Sequence, residues 1–136
     1  MTRQFDRPVP RDLVGDKAPS VLPGDDPAIL GHATLGPTDP VEVRTFQSFT
    51  LTYTVGSLGL DDTGGIRIAW RRIGDSGLMQ TQNPAAPNYV SAQSNGEGRL
   101  SLDYSRRGGQ RPWGEILTIT QHGGYLRPGE TITIRV

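Results

Sequence analysis

The chain has 136 residues, with fourteen basic side chains, fourteen acidic side chains and no cysteine. A chain of this length forms one domain that can bury roughly two-thirds of the surface of the unfolded chain. The balanced charge gives no net field toward a nucleic acid or an anionic membrane, so neither is expected as a partner. The lack of cysteine excludes disulfides, thiolate nucleophiles and cysteine-ligated zinc.

The first residues carry charge but no apolar stretch, so they match neither a secretory signal nor a lipid-attachment motif. No later apolar run approaches the length of a membrane span. A cytoplasmic location is therefore expected. The alternative is a chain from which a targeting segment has been removed.

Proline divides the chain near residue 29. Dense proline prevents both helix formation and strand pairing, which predicts an extended, proline-rich N-terminal arm over residues 1–28 and a folded domain over residues 29–136. Apolar residues in the arm would allow it to pack against a partner or against the rest of the chain, and a frayed terminus is the alternative. The prolines before residue 41 are Pro8, Pro10, Pro19, Pro23, Pro27, Pro37 and Pro40.

From residue 29 onward, apolar and polar residues alternate with a period of two, which is typical of β-strands with one buried face. The clearest case places Phe49, Leu51, Tyr53 and Val55 on one face and threonines on the other. Turn residues 95–98 predict a hairpin between the fourth and fifth strands. The predicted strands cover residues 29–35, 41–55, 66–71, 89–92, 100–104, 113–121 and 131–136.

This series of short strands without a helical pattern predicts an all-β fold, specifically a seven-stranded antiparallel immunoglobulin-like β-sandwich. A closed barrel is the alternative. Without cysteine, the two sheets must be held together by packing alone. The chain stops at Val136, within its last predicted strand, which suggests a domain cut from a longer polypeptide.

Two features of the sequence bear on catalytic or metal chemistry. The tripeptide Asp62-Thr63-Gly64 matches the catalytic sequence of aspartic proteases, but the glycine-rich residues around it favour a turn before a strand. His32 and His122 have no metal-ligand spacing and no carboxylate beside them. No catalytic residue, metal or cofactor is therefore expected.

Arginines and aromatic residues provide the candidate binding positions. Arg107 and Arg111 belong to an arginine-rich set that could bind an anion or a partner, and pairing with nearby carboxylates is the alternative. An aromatic platform for sugar rings is a further possibility, although most aromatic residues in sandwiches serve packing. Its candidate rings are Trp70, Trp113, Tyr89, Tyr104 and Tyr125. Trp70 shares the parity of Ile66 and Ile68, so it is predicted to lie in the core. The predicted binding residues are Trp113, Arg111, Tyr125 and Arg107.

Several segments resemble the N-terminal β-domain of a bacterial group, the domain-of-unknown-function family 3604. The resemblance runs from about residue 30 to the end. It is carried by residues 31–37 (GHATLGP), 51–56 (LTYTVG), 59–65 (GLDDTGG), 83–90 (NPAAPNYV), 111–114 (RPWG) and 125–130 (YLRPGE).

The larger C-terminal part of such proteins is similar to PHP-type metal-dependent hydrolases, and nothing in this chain corresponds to it. The resemblance therefore implies an accessory domain without an activity of its own. It would pack against a metal-dependent hydrolase domain, with Trp113 and Arg111 as the first contact candidates.

Three functions follow from the sequence. The first is an accessory module of a hydrolase, whose partner is a protein domain or a second copy. The second is a stand-alone module that binds a ligand or carbohydrate in a concave aromatic site. The third is an independent enzyme, which would need acidic or histidine side chains converging in a pocket.

Overall fold

The computed structural model describes residues 26–71 and 77–136. Almost all of the predicted arm, residues 1–28, therefore lies outside the described residues. The described residues form an all-β fold of two antiparallel sheets, as the sequence predicted. None of their helices is long and apolar enough to cross a membrane.

The first described element is a one-turn helix, α1, over Pro27–Leu30. Asp26 caps it by accepting the backbone N–H of Ala28, and Pro27 occupies the start, where its missing N–H costs nothing. The first strand was predicted over residues 29–35, but it begins at Gly31, two residues later than predicted. The strands are β1 (Gly31–Gly36), β2 (Thr50–Val55), β3 (Gly65–Trp70), β4 (Ser91–Ser94), β5 (Arg99–Ser105), β6 (Glu115–His122) and β7 (Thr131–Arg135).

The strands form a four-stranded sheet with the order β1-β2-β7-β4 and a three-stranded sheet with the order β3-β6-β5. All pairs within each sheet are antiparallel. Within the described residues, no pairing joins the edge strands of the two sheets, so the fold is a sandwich and not a closed barrel.

One apolar cluster joins the inner faces of the two sheets. Ile132 and Ile134 of β7 contribute from the first sheet, and Leu117 and Ile119 of β6 contribute from the second, all fully buried. Strand alternation explains this pattern because every second side chain of each strand points inward. Trp70 packs against the same cluster, as its parity predicted.

The predicted hairpin between the fourth and fifth strands was wrong. β4 pairs with β7 and β5 pairs with β6, so residues 95–98 carry the chain from one sheet to the other. Asn95 fixes this turn because its side chain accepts the backbone N–H of Thr131 at 2.8 Å. Turn residues identify a reversal of the chain, but they do not specify which strands pair across it.

The predicted second strand was also too long at its start. Residues 41–49 are irregular, and pairing begins only where Phe49 exchanges two backbone hydrogen bonds with Val136. Arg44 has φ of 62°, a left-handed conformation that a strand cannot contain. The sequence carried a warning, since Thr45 and Gln47 are polar at positions where the core parity requires apolar residues.

The connections alternate between the two ends of the sandwich. Residues 37–49, 71–90 and 106–114 lie at one end, called here the Phe46 end, although 72–76 within them are not described. Residues 56–64, 95–98 and 123–130 lie at the other, called here the Leu58 end, where α1 also lies. This arrangement follows from the antiparallel pairing and separates the molecule into two chemically different surfaces.

The core depends on the side chains of β6. We expect Ile119→Ala to lower the free energy of unfolding by about 2–5 kcal/mol, because it removes a fully buried side chain and leaves a cavity. Urea denaturation followed by circular dichroism measures the change. The matched control is Thr118→Ala on the outer face of the same strand, and equal losses in the two variants would contradict the assignment of the inner face.

Candidate functional site

Exposed apolar side chains gather at the Phe46 end. Phe46 is 85% exposed and Val43 is 82% exposed, both in the irregular segment between β1 and β2. Trp113, just before β6, is 53% exposed. Val41 and Leu78 add further exposed apolar surface at this end. Single exposed apolar residues are common, whereas several large ones at one end of a domain are a feature of candidate interaction surfaces.

A cleft of about 860 Å³ opens between residues 41–49 and residues 77–89. Half-buried apolar side chains of Phe49, Met79, Tyr89 and Val136 line its inner part. The more exposed rim includes Val41, Phe46 and the charged residues Glu42 and Arg44. Its volume is in the range of small-molecule sites, but its apolar lining suits a side chain from a partner equally well.

Gln80 holds one wall of this cleft in place. Its side-chain amide donates to the carbonyl of Asn83 at 2.7 Å, and its carbonyl oxygen accepts the backbone N–H groups of Gln82 and Asn83. Its backbone N–H donates to Asn88, and its backbone carbonyl accepts the N–H of the buried Val90. One glutamine thus supplies the hydrogen bonds that an irregular loop otherwise lacks.

Beneath the Phe46 end, the core contains one buried carboxylate. Glu115 is the first residue of β6 and accepts a hydrogen bond of 2.9 Å from the hydroxyl of Tyr104. Burial raises the pKa of Tyr104, and the hydrogen bond to Glu115 raises this pKa further. The tyrosine therefore stays neutral and keeps Glu115 supplied with a donor.

The arginines predicted to bind a partner also concentrate at the Phe46 end. Arg107 and Arg111 are exposed in residues 106–114, with Trp113 on the same connection. The structure thus brings together three of the four predicted binding residues. Guanidinium groups beside an apolar surface are typical of protein interfaces, where arginine and tryptophan are enriched.

Tyr125, the fourth predicted residue, lies at the Leu58 end. Between it and Trp113 lies β6, whose eight residues span about 23 Å at the usual rise per residue. Its hydroxyl donates to the carbonyl of Leu58 at 3.3 Å, and its ring covers Gly59 so closely that any side chain there would collide with it. The four residues therefore do not form one site.

The aromatic platform predicted for sugar binding is also not assembled. Trp70 and Tyr104 pack against the core, and Tyr125 lies at the opposite end from Trp113. Tyr89 lies in the cleft beside Phe49, half-buried. Trp70 and Tyr104 belong to strands and face the core, whereas Tyr89, Trp113 and Tyr125 lie in connections, so the five rings do not share one surface.

Asp62 has a structural role in the turn that precedes β3. Its carboxylate accepts the backbone N–H of Gly123 at 2.8 Å. Just after it in the chain, the backbone N–H of Thr63 donates to the carbonyl of Gln121 in β6, and the backbone N–H of Gln121 donates to the carbonyl of Gly64. The carboxylate thus joins two connections at the Leu58 end, which explains the tripeptide without protease chemistry.

The histidines lie apart from each other. His32 is exposed on β1, whereas His122 ends β6 and its Nε2 lies 2.7 Å from the Ser101 hydroxyl. Among residues 26–71 and 77–136, no three histidine, aspartate or glutamate side chains are grouped to hold a metal.

The sequence placed Trp113, Arg107 and Arg111 among the candidate binding residues, but it did not predict the exposure of Val43 and Phe46, because it assigned this segment to a strand. The sequence did show the irregularity, since Phe46 is apolar at a position where the alternation predicts a polar residue. In comparisons with protein-family models, curated proteins and solved structures, no match was found. The resemblance to the family 3604 domain therefore stays a prediction.

The raised pKa of Tyr104 predicts a pH dependence of stability. In the unfolded chain tyrosine ionises near pH 10, and the folded chain holds the Tyr104 proton more tightly. The contribution of Tyr104 to stability is therefore complete below about pH 10 and is lost as the pH rises through the raised pKa.

We expect Tyr104→Phe to lose less stability than the wild type between about pH 9 and about pH 11, on either side of the ordinary tyrosine pKa. Urea unfolding at both pH values measures this difference. Tyr53 remains in both proteins, so its own raised pKa cancels in the comparison. An identical loss in both proteins would rule out the ionisation of Tyr104 as its source.

Proposed function

We propose that this chain is a non-catalytic accessory β-sandwich module that packs against a partner protein domain through the Phe46 end. The observation that carries the proposal is the grouping of Val43, Phe46 and Trp113, all largely exposed, at one end of the sandwich. Exposure of apolar surface to water is unfavourable, and its burial against a partner would stabilise the complex by roughly 25 cal/mol per Å².

The partner in this proposal is a metal-dependent hydrolase domain, as the resemblance to the family 3604 domain implies. Residues 111–114, one of the segments that carry the resemblance, lie within the Phe46 end. Arg107 and Arg111 beside Trp113 would favour a partner with an acidic surface around an apolar centre. The module would orient the hydrolase domain and would contribute no catalytic group.

The architecture in this proposal is immunoglobulin-like at the level of its two layers, with four strands facing three. The immunoglobulin constant-type order places the fifth strand between the second and fourth strands. Here the seventh strand occupies that place and the fifth strand lies beside the sixth. The fold proposed here therefore shares the two-layer arrangement of immunoglobulin domains, but its fifth and seventh strands are exchanged.

A stand-alone ligand-binding module is the second candidate, and the cleft favours it. A volume of about 860 Å³ could hold a small ligand against Phe49, Met79 and Tyr89. The ring of Tyr89 is half-buried beside these side chains, so it offers less free face than sugar stacking uses. For this reason the accessory function ranks first.

The test of the proposed function is binding to a separately purified hydrolase domain from the group that the chain resembles, measured by isothermal titration calorimetry. We expect the double variant Phe46→Ser with Trp113→Ser to bind at least about tenfold more weakly than the wild type, because aromatic anchors dominate interface energies. Thermal unfolding should change little, since both side chains are exposed in the free module.

The matched control is Leu58→Ser, which removes a side chain that is 69% exposed at the opposite end. It should bind as the wild type does. Absence of binding by the wild type would reject the hydrolase partner, and equal binding by the double variant would reject the Phe46 end as the contact surface. Oligosaccharide binding in the same titrations, lost in the double variant, would establish the second candidate instead.

A further inference from the structure

Charge is divided between the two ends of the sandwich. At the Phe46 end, the described residues include six arginines and only three carboxylates, of which Glu115 is buried and hydrogen-bonded to Tyr104. The arginines are Arg44, Arg71, Arg106, Arg107, Arg111 and Arg135, and the other carboxylates are Asp39 and Glu42.

The Leu58 end has the opposite balance. Its described residues include five carboxylates and two arginines. The carboxylates are Asp26, Asp61, Asp62, Glu97 and Glu130, and the arginines are Arg99 and Arg127. The neutral chain is therefore a dipole along its strand direction, positive at the Phe46 end and negative at the Leu58 end.

The residues outside the described ranges add no net charge to this division. Residues 1–25 contain four basic and four acidic side chains, and residues 72–76 contain Arg72 and Asp75. The opposite charges of the two ends come from the described sandwich itself.

The Leu58 end also carries exposed apolar side chains. Leu58 is exposed in the connection between β2 and β3, Tyr125 lies against that connection, and Leu30 is exposed on α1. Asp61 and Asp62 follow Leu58 closely in the chain. Each end therefore combines apolar side chains with charge, and the two charges are of opposite sign.

We propose that copies of this chain associate head to tail, with the Leu58 end of one copy against the Phe46 end of the next. The inference rests on the proposed function in using the Phe46 end as a docking surface, and it names a second copy as an occupant of that surface. Acidic groups would meet arginines, and Leu58 would meet the apolar side chains around Phe46.

Such a contact joins two different surfaces, so it leaves a free Phe46 end and a free Leu58 end on every dimer. Longer linear assemblies are therefore expected at higher concentration. Because much of the attraction is between exposed charges, it should weaken as the salt concentration rises and the screening length shortens.

Sedimentation velocity tests the proposal with the full chain between about 10 μM and about 1 mM, the range of weak contacts. We expect the average sedimentation coefficient of the wild type to rise with concentration at low salt. The rise should disappear near 1 M salt, where the screening length is about 3 Å.

Two charge-reversal variants make the test specific. The triple variant Arg106→Glu, Arg107→Glu and Arg111→Glu makes the Phe46 end acidic, so both of its ends are acidic. The double variant Asp61→Lys with Glu97→Lys makes the Leu58 end basic, so both of its ends are basic. We expect each variant alone to sediment as a monomer at every concentration, and an equimolar mixture of the two to associate again.

The mixture separates this proposal from other forms of association. Pairing between sheet edges would leave association intact in each variant alone, and that result would overturn the head-to-tail contact. A wild type that stays monomeric throughout the range would overturn it as well.

The hydrolase titration distinguishes failure of this inference from failure of the proposed function. The Asp61→Lys and Glu97→Lys variant keeps the Phe46 end and should bind the hydrolase domain as the wild type does. If it does so while the wild type never self-associates, the proposed function stands and only the head-to-tail contact is rejected.

Discussion

The packing of β6 against β7 across the sandwich is the constraint on which the rest of the structure depends. Each strand lies inside its sheet, and the inward side chains Leu117, Ile119, Ile132 and Ile134 are fully buried. Since the chain has no disulfide to join the sheets, this apolar contact must hold them together. With both central strands fixed, antiparallel pairing leaves every connection at one of the two ends.

The division into ends explains how a chain of zero net charge acquires two surfaces of opposite charge. Connections do not need the alternation of apolar and polar residues that strands need. Their residues can therefore serve contacts outside the core. At the Phe46 end they carry arginines and exposed aromatic rings, whereas at the Leu58 end carboxylates are used partly to fix turns. Net charge alone, which is zero for the chain, hides this separation.

The sequence predicted the strands better than their partners. Alternation located β3, β5 and β7 within about one residue because it reports directly on the burial of one face. The exchange of β5 and β7 relative to the immunoglobulin order was out of reach, since residues 95–98 would suit either a hairpin or a crossing between sheets. The positions of the four residues predicted to bind a partner were foreseeable to the same unequal degree. Arg107, Arg111 and Trp113 are neighbours in the chain, whereas the position of Tyr125 depends on which end each connection occupies.

Glu115 shows how the core and the proposed docking surface are connected. Glu115 is the first residue of β6, and its buried carboxylate accepts a hydrogen bond from Tyr104. The residues just before it in the chain turn outward, so Trp113 is exposed. A buried carboxylate that kept no donor would be costly, so the hydrogen bond helps to fix where β6 begins. The position at which β6 begins determines that Trp113 lies outside the sheet, beside the arginines of the same connection. The same pair that stabilises the core therefore positions the aromatic residue proposed to contact the partner.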